Sequence, residues 1–274
     1  MGMVNVQVKC KPLFSEDTSL MLILGSITNE YLLYRKHWKQ DVKSSFGLIP
    51  ISTRKCINTI LQLPGKPVKS ERRECSSTLK LIMESIADFL EPSRKVVNVG
   101  GGLAINYEKK AQGYPTPQEY TECFNNFGED YTLIFEPGRS LVGSTACCIG
   151  RSLGVKNDNI LVTNMSMTEC IRPALYQAYH QVTLAKKTDK NDAKIYKVVG
   201  PVCESADFLN KTAQLPSEIN TNQLVILWDV GAYCHVLSSN YNMRPRRAEF
   251  LVTGCEFRQI RRQDTFEDMM ATFC

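Results

Sequence analysis

Apolar positions follow two different rhythms along the chain, and the change between them falls near residue 140. In the first part, Leu20 to Ile27 reads as a buried strand, and Ser76 to Leu90 as an amphipathic helix with Leu79, Ile82, Ile86 and Phe89 on one face. After Pro92 the run Val96 to Val99 predicts a strand that closes on Gly100, Gly101 and Gly102. A helix over Pro117 to Phe127 and a strand over Tyr131 to Phe135 follow, the strand closing on Glu136-Pro-Gly-Arg139. Strand, helix, strand with functional-looking strand ends is β/α packaging, as in a β/α barrel whose sites lie at the C-terminal ends of its strands.

Beyond Arg139 the apolar runs become short and β-rich: Thr145 to Val155, Ile160 to Thr163, Ile195 to Val199, Leu224 to Asp229 and Ala248 to Val252. Turn residues separate them, the pattern of a β-sandwich or barrel. The expected fold is therefore α/β plus β, with a partial β/α barrel over 1–140 and a C-terminal β domain over 141–274.

Composition adds limits rather than detail. A chain of 274 residues with 43% hydrophobic content can bury one large or two modest cores. A net charge of +5, with its main basic cluster at Lys66 to Arg73, is too small to imply a nucleic-acid or membrane partner. Eleven cysteines are scattered without a CxxC pair or Cys/His metal spacing, which fits a reduced cytoplasmic chain without a metal. Leu20 to Leu24 is too short to span a bilayer.

The candidate chemistry starts at the two strand ends. Glycines without side chains let backbone N–H groups converge on a phosphate, and Gly100 to Gly102 with Gly138 are suited to that. A glycine triplet alone is more often a tight turn; Glu136-Pro137-Gly138-Arg139 one strand later reverses the balance, because Arg139 adds charge-assisted anion contacts and Glu136 a carboxylate. The β-rich part adds Ile171-Arg-Pro-Ala-Leu-Tyr176 with Ala178-Tyr-His180, Gly200-Pro-Val-Cys-Glu-Ser205 with Asp207, and Asp229-Val-Gly-Ala-Tyr233 with Ser239-Asn-Tyr-Asn242.

Together these strings resemble the diaminopimelate decarboxylases, the alanine-racemase-type (fold type III) decarboxylases that use pyridoxal 5'-phosphate (PLP). The resemblance runs from about 96 to 270 and continues through Arg244-Pro245, Ala248-Glu249 and Ile260-Arg-Arg262. It implies decarboxylation of meso-2,6-diaminopimelate to L-lysine. Gly101, Gly102, Glu136, Pro137, Gly138, Arg139 and Tyr233 would hold PLP, with Glu136 facing the pyridine nitrogen so that the ring stays an electron sink. Arg139, Arg172, Tyr176, Glu204 and Tyr233 would hold substrate, arginine through its planar fork and Glu204 through the distal ammonium group. Cys203 would be the acid that protonates the α-carbon. In the family this Cys-Glu pair reaches into the neighbouring subunit's site, so the resemblance implies a homodimer.

The bland readings are a buried small cysteine, core tyrosines, a surface cation at Arg172 and structural histidines at His180 and His235. The family's Schiff-base lysine, by contrast, has no counterpart: Ser44-Ser-Phe-Gly47 resembles its Lys-Phe-Gly element with Ser45 in place of lysine. The stretch Leu61 to Ser77 also lacks the histidine that stacks on the cofactor ring. The family's earlier strands are then lacking, as in an N-terminal truncation. Three accounts remain open: a truncated decarboxylase, a fragment needing a separate N-terminal piece, or a non-catalytic paralogue that pairs with an intact subunit.

Overall fold

The computed structural model describes residues 20–24, 96–100, 103–109, 116–122, 132–186 and 192–273. In chain order these form β1 (Leu20–Leu24), β2 (Val96–Gly100), α1 (Pro117–Glu122), β3 (Thr132–Phe135), α2 (Gly138–Val142), β4 (Ala146–Lys156) and β5 (Ile160–Thr163). Then come α3 (Arg172–Tyr176), β6 (Val182–Leu184), β7 (Ala193–Val199), β8 (Phe208–Pro216), β9 (Leu224–Trp228), β10 (Glu249–Thr253), β11 (Glu256–Arg261) and α4 (Phe266–Met270). The expected helix over 76–90, the stretch 61–77, the Ser44 to Gly47 string and Gly101 and Gly102 lie outside the described residues.

The chain divides into two compact units, one of residues 31–142 and one of 1–30 with 143–274. The smaller unit holds a parallel pair, β2 with β3, in the register Val96↔Thr132 to Gly100↔Phe135. Parallel neighbours require a crossover, which the segment containing α1 supplies. The ring of Phe135 meets Tyr120 of α1 edge-on at 5.8 Å.

The larger unit is a mixed sheet in the order β11-β10-β1-β4-β5-β7-β8, with β9 pairing both β4 and β6. The sequence reading grouped β1 with the N-terminal β/α part. In the structure this strand fills the gap between β10, which it pairs in parallel, and β4, which it pairs antiparallel. Both edges would otherwise be open.

β4 is long enough to serve two partner sets. Its first half pairs with β1 and β9 and its second half with β5, and the register shifts between Ser152 and Gly154. Gly154 has φ +153, a conformation L side chains rarely adopt, and marks the bend. The sheet curls until its ends meet: Asn210 of β8 donates through Nδ2 to the carbonyl of His180, just before β6, at 2.7 Å. The result is a nearly closed β-barrel-like domain, in agreement with the β part of the expected class.

Its core is built from alternating inward positions, Leu161, Tyr196, Val198, Leu209, Leu215, Val225 and Leu227 among them. Each fully buried leucine contributes about 1.5–3 kcal/mol. The hydroxyl of Tyr196 still finds the Ser217 carbonyl at 2.7 Å, so this large core residue leaves no unmet donor.

The core also sorts the cysteines. Cys147, Cys148, Cys170 and Cys234 are buried, Cys203 and Cys255 exposed. Burial, with the Asp229 charge, pushes the Cys147 thiol up to about 12, and burial likewise lifts Cys148 well above its ordinary range. Mass-mapped labelling with a thiol reagent at pH 8 is expected to modify Cys203 and Cys255 rapidly and the four buried thiols only after unfolding.

Candidate functional site

The turn between β7 and β8 is held by one buried carboxylate. Asp207 Oδ1 accepts the N–H of Met167 at 2.7 Å, and Oδ2 accepts the N–H of Val202 at 2.8 Å. The backbone folds back through Gly200 N–H to Asp207 O at 3.2 Å and Asp207 N–H to Glu204 O at 3.0 Å. A Cβ at Gly200 would lie 2.4 Å from Asp207 Oδ2 and 2.6 Å from Ser166 Cβ, so glycine is the residue that lets the carboxylate sit there.

What this fixed turn displays is Cys203 and Glu204, both exposed. Glu204 Oε1 accepts from Ala206 N–H at 3.2 Å and from the Ser205 hydroxyl at 3.1 Å, and Oε2 accepts from the Tyr241 hydroxyl at 3.4 Å. These donors, the Ala206 N–H foremost, hold its carboxyl below the ordinary range and keep it anionic at neutral pH. Tyr241 lies within the Ser239 to Asn242 string, yet nothing in sequence gave it a role; only folding brings it to Glu204.

Arg172 and Tyr176 open and close α3. Proline in the first turn presets the helix, and Gln177 ends it in the left-handed region at φ 53. Tyr176 is exposed, whereas Arg172 is buried, not the surface cation of the bland reading. Arg172 Nη1 lies 3.1 Å from His180 Nε2, and His180 Nδ1 lies 3.0 Å from the Trp228 carbonyl. A guanidinium only donates, so Nε2 carries the lone pair and Nδ1 the proton. His180 is thus a buried, bonded histidine that holds Arg172 in place.

Tyr233 stands exposed in the loop after β9 with φ 59, an outlier for a bulky residue. The loop is pinned by Val230 N–H to Ala146 O and Gly231 N–H to Gly143 O, each 3.0 Å. Such strain held by surrounding bonds is a feature of functional loops.

Behind these loops Glu169 joins two segments, its own and the one carrying Arg244 and Arg247. Its Oε2 accepts from Ser166 N–H at 2.7 Å and the Ser166 hydroxyl at 2.9 Å, and its Oε1 accepts from Arg247 Nε at 3.0 Å. Arg244 Nη2 lies 3.6 Å from the same oxygen and donates to Asn164 O at 2.8 Å. This network gives a structural reason for the Arg244-Pro245 string.

In the smaller unit, the register that pairs Gly100 with Phe135 places the segments following both strands at one end of the pair. Glu136 is exposed, and Gly138 donates its N–H to Glu136 O at 2.8 Å. A Cβ at Gly138 would meet nothing within 4 Å. The Pro137 carbonyl accepts from the Ser140 hydroxyl at 2.8 Å, and the Arg139 guanidinium lies 5.9 Å from the centre of the Tyr107 ring.

Comparison with known proteins gives three findings. Residues 142–231 match the family model described as pyridoxal-dependent decarboxylase, C-terminal sheet domain. A probable chloroplastic diaminopimelate decarboxylase of Oryza sativa subsp. japonica is 40% identical over 183 residues, covering 65% of this chain and 37% of that protein. The diaminopimelate decarboxylase of Archaeoglobus fulgidus is 40% identical over 184 residues, 64% of this chain and 43% of that protein. Among solved structures, the Helicobacter pylori diaminopimelate decarboxylase complexed with L-lysine superposes with TM-score 0.63 at 30% identity, covering 73% of this chain and 50% of that one. The chain thus spans less than half the length of these curated relatives.

Proposed function

From the match of residues 142–231 to the pyridoxal-dependent decarboxylase C-terminal sheet domain, we propose that this chain takes part in PLP-dependent decarboxylation of meso-2,6-diaminopimelate to L-lysine. The observation that carries this reading is the β7–β8 turn. A buried aspartate and an obligatory glycine are committed to displaying an exposed cysteine beside an anionic glutamate, neither of which has a role in the core. That arrangement suits a proton donor and an ammonium-binding carboxylate offered to a neighbouring subunit. The shared site makes the working unit a dimer, either of this chain or with an intact homologous subunit, and we place it in the cytoplasm. Among the described residues no helix is long and apolar enough to cross a membrane.

The residues present fit PLP at its two polar ends. The open space at Gly138, with Gly101, Gly102 and Pro137 in the same two strand-end segments, suits the phosphate, with Arg139 as the cation and Glu136 as the partner of the pyridine nitrogen. These segments belong to the smaller unit, residues 31–142, to which we assign the partial β/α barrel. When bound, PLP supplies the electron sink for the pair released as carbon dioxide leaves. Cys203 then gives a proton to the α-carbon, Glu204 with Tyr241 receives the distal ammonium group, and Arg172, Tyr176, Tyr233 and Arg139 hold the remaining substrate groups. Arg172 enters this set already oriented by His180.

The test mixes this chain and PLP with a diaminopimelate decarboxylase subunit whose own acid cysteine has been replaced. Carbon dioxide release from meso-diaminopimelate is expected to return, and Cys203→Ser in this chain to lower it about 100-fold or more. A mixed dimer that forms without restoring release would refute the proposal.

A further inference from the structure

Three side chains from separate segments meet inside the larger unit. Cys170 precedes α3, His180 follows it, and Cys234 lies in the loop after β9; their exposures are 1%, 0% and 1%. The two Sγ atoms and one imidazole nitrogen all lie within 4.8 Å of one another. The sulfurs are 3.5 Å apart, and Cys234 also donates to the Ala232 carbonyl at 3.6 Å. Sequence spacing hides the set, because 64 positions separate the two cysteines.

We propose that Cys170, His180 and Cys234 form a buried three-ligand site for a thiophilic monovalent cation, Cu+. Two sulfurs bound at about 2.3 Å to one trigonal centre lie about 4.0 Å apart, so the observed pair, 3.5 Å apart, needs to open by about half an ångström. Thiolates with an imidazole are soft donors, which select Cu+ or Zn2+ over hard cations. The Trp228 carbonyl bonded to His180 Nδ1 is the kind of outer contact that orients a ligating histidine.

Charge and ligand number decide between the two cations. Two thiolates bring two negative charges, and the Arg172 guanidinium beside His180 brings one positive charge. A monovalent cation closes that sum at zero. A divalent one leaves a net positive charge where water is excluded, which is costly. Structural zinc almost always takes four ligands, whereas the described residues bring three such groups together and Cu+ accepts three.

Uptake involves no redox change. Each thiol loses its proton, His180 Nε2 gives up the hydrogen bond it accepts from Arg172 Nη1, two Cu–S bonds and one Cu–N bond form, and two protons leave per cation, so affinity rises with pH. The bound cation would tie the segment leading to Arg172 and Tyr176 to the residue that follows Tyr233.

The deciding experiment is an anaerobic Cu+ titration of the full chain against a coloured Cu+ chelator, with proton release recorded and X-ray absorption taken on the one-equivalent complex. C170S and C234S are compared with the exposed-site control C255S. Expected are one tight equivalent in the wild type and C255S that is lost in C170S and C234S, two protons released, a shell of two sulfurs and one nitrogen, and weaker Zn2+ uptake in the same competition. Equal stoichiometry in all four proteins, a sulfur-only shell, or tighter Zn2+ binding overturns the assignment. So does a wild-type chain lighter by two hydrogens that takes up no cation, which would make the pair a disulfide. If the serine variants fail to fold by circular dichroism, the wild-type absorption shell decides alone.

Discussion

Replacing Glu169 with alanine is expected to destabilise the larger unit by about 3–5 kcal/mol, because removing one member of a buried ion pair leaves the other charge uncompensated. Arg247 would lose its carboxylate at 3.0 Å, and the Ser166 N–H and hydroxyl would lose theirs at 2.7 and 2.9 Å. Arg244, 3.6 Å away, keeps its bond to Asn164 O and is the less affected cation. Glu169→Gln retains the size and one acceptor and is expected to cost less. Urea unfolding of wild type and both variants checks the order, with amide exchange over 164–170 and 244–249 showing where protection is lost. A Glu169→Ala protein as stable as wild type would mean that the arginines find other partners, and would end this account of the network.

Asp207→Ala is expected to cost about 2–4 kcal/mol, from two buried N–H donors left without an acceptor. Those donors, on Met167 and Val202, belong to two different loops, so the turn carrying Cys203 and Glu204 loses its anchor to the segment after β5. Asp207→Asn does not restore it, since one oxygen can accept and the amide nitrogen confronts the second donor. Burial raises the Asp207 carboxyl above its ordinary range, while the Met167 and Val202 donors pull it back. The sign follows: a carboxyl raised in the fold favours folding most below its unfolded pKa of about 4, and that contribution is lost as pH rises through the folded value. Asp207→Asn should therefore flatten the pH dependence of stability just above pH 4 in addition to lowering stability. Amide exchange at Val202 and Met167 should accelerate in both variants, with exchange at Leu227 tracking only the global loss.

In the β-rich part, strands with one buried face were legible in sequence. β9 alternates between half-buried and buried positions, and β5 does the same, so period-two hydrophobicity locates both. β8 escaped because Asn210, Lys211 and Thr212 interrupt the alternation, and its pairing with β7 shifts register twice. β11 escaped for the opposite reason: all six of its residues are exposed, so no face is written in apolar side chains. The short helices α2, α3 and α4 have five residues each, too few for a 3.6-residue period to register.

At the site, residue strings pointed to Cys203, Glu204, Arg172, Tyr176 and Tyr233 because a motif is a local pattern of residue types. Their surroundings are not local. Glu204 meets Tyr241 across 37 positions, and Asp207 meets Met167 across 40. The buried state of Arg172 depends on the chain reversing after α3 to bring His180 beneath it.

By itself the sequence determined the rhythm of apolar positions and the order of the motif strings, since each is set by neighbours within a few residues. The tertiary structure alone decided that Leu20–Leu24 completes the large sheet, that Glu169 gathers two arginines, and that Cys170, His180 and Cys234 converge. The physical reason is that strand edges, buried charges and ligand atoms find partners by proximity in space, and the long-range register of the sheet, which no short window of sequence contains, sets that proximity.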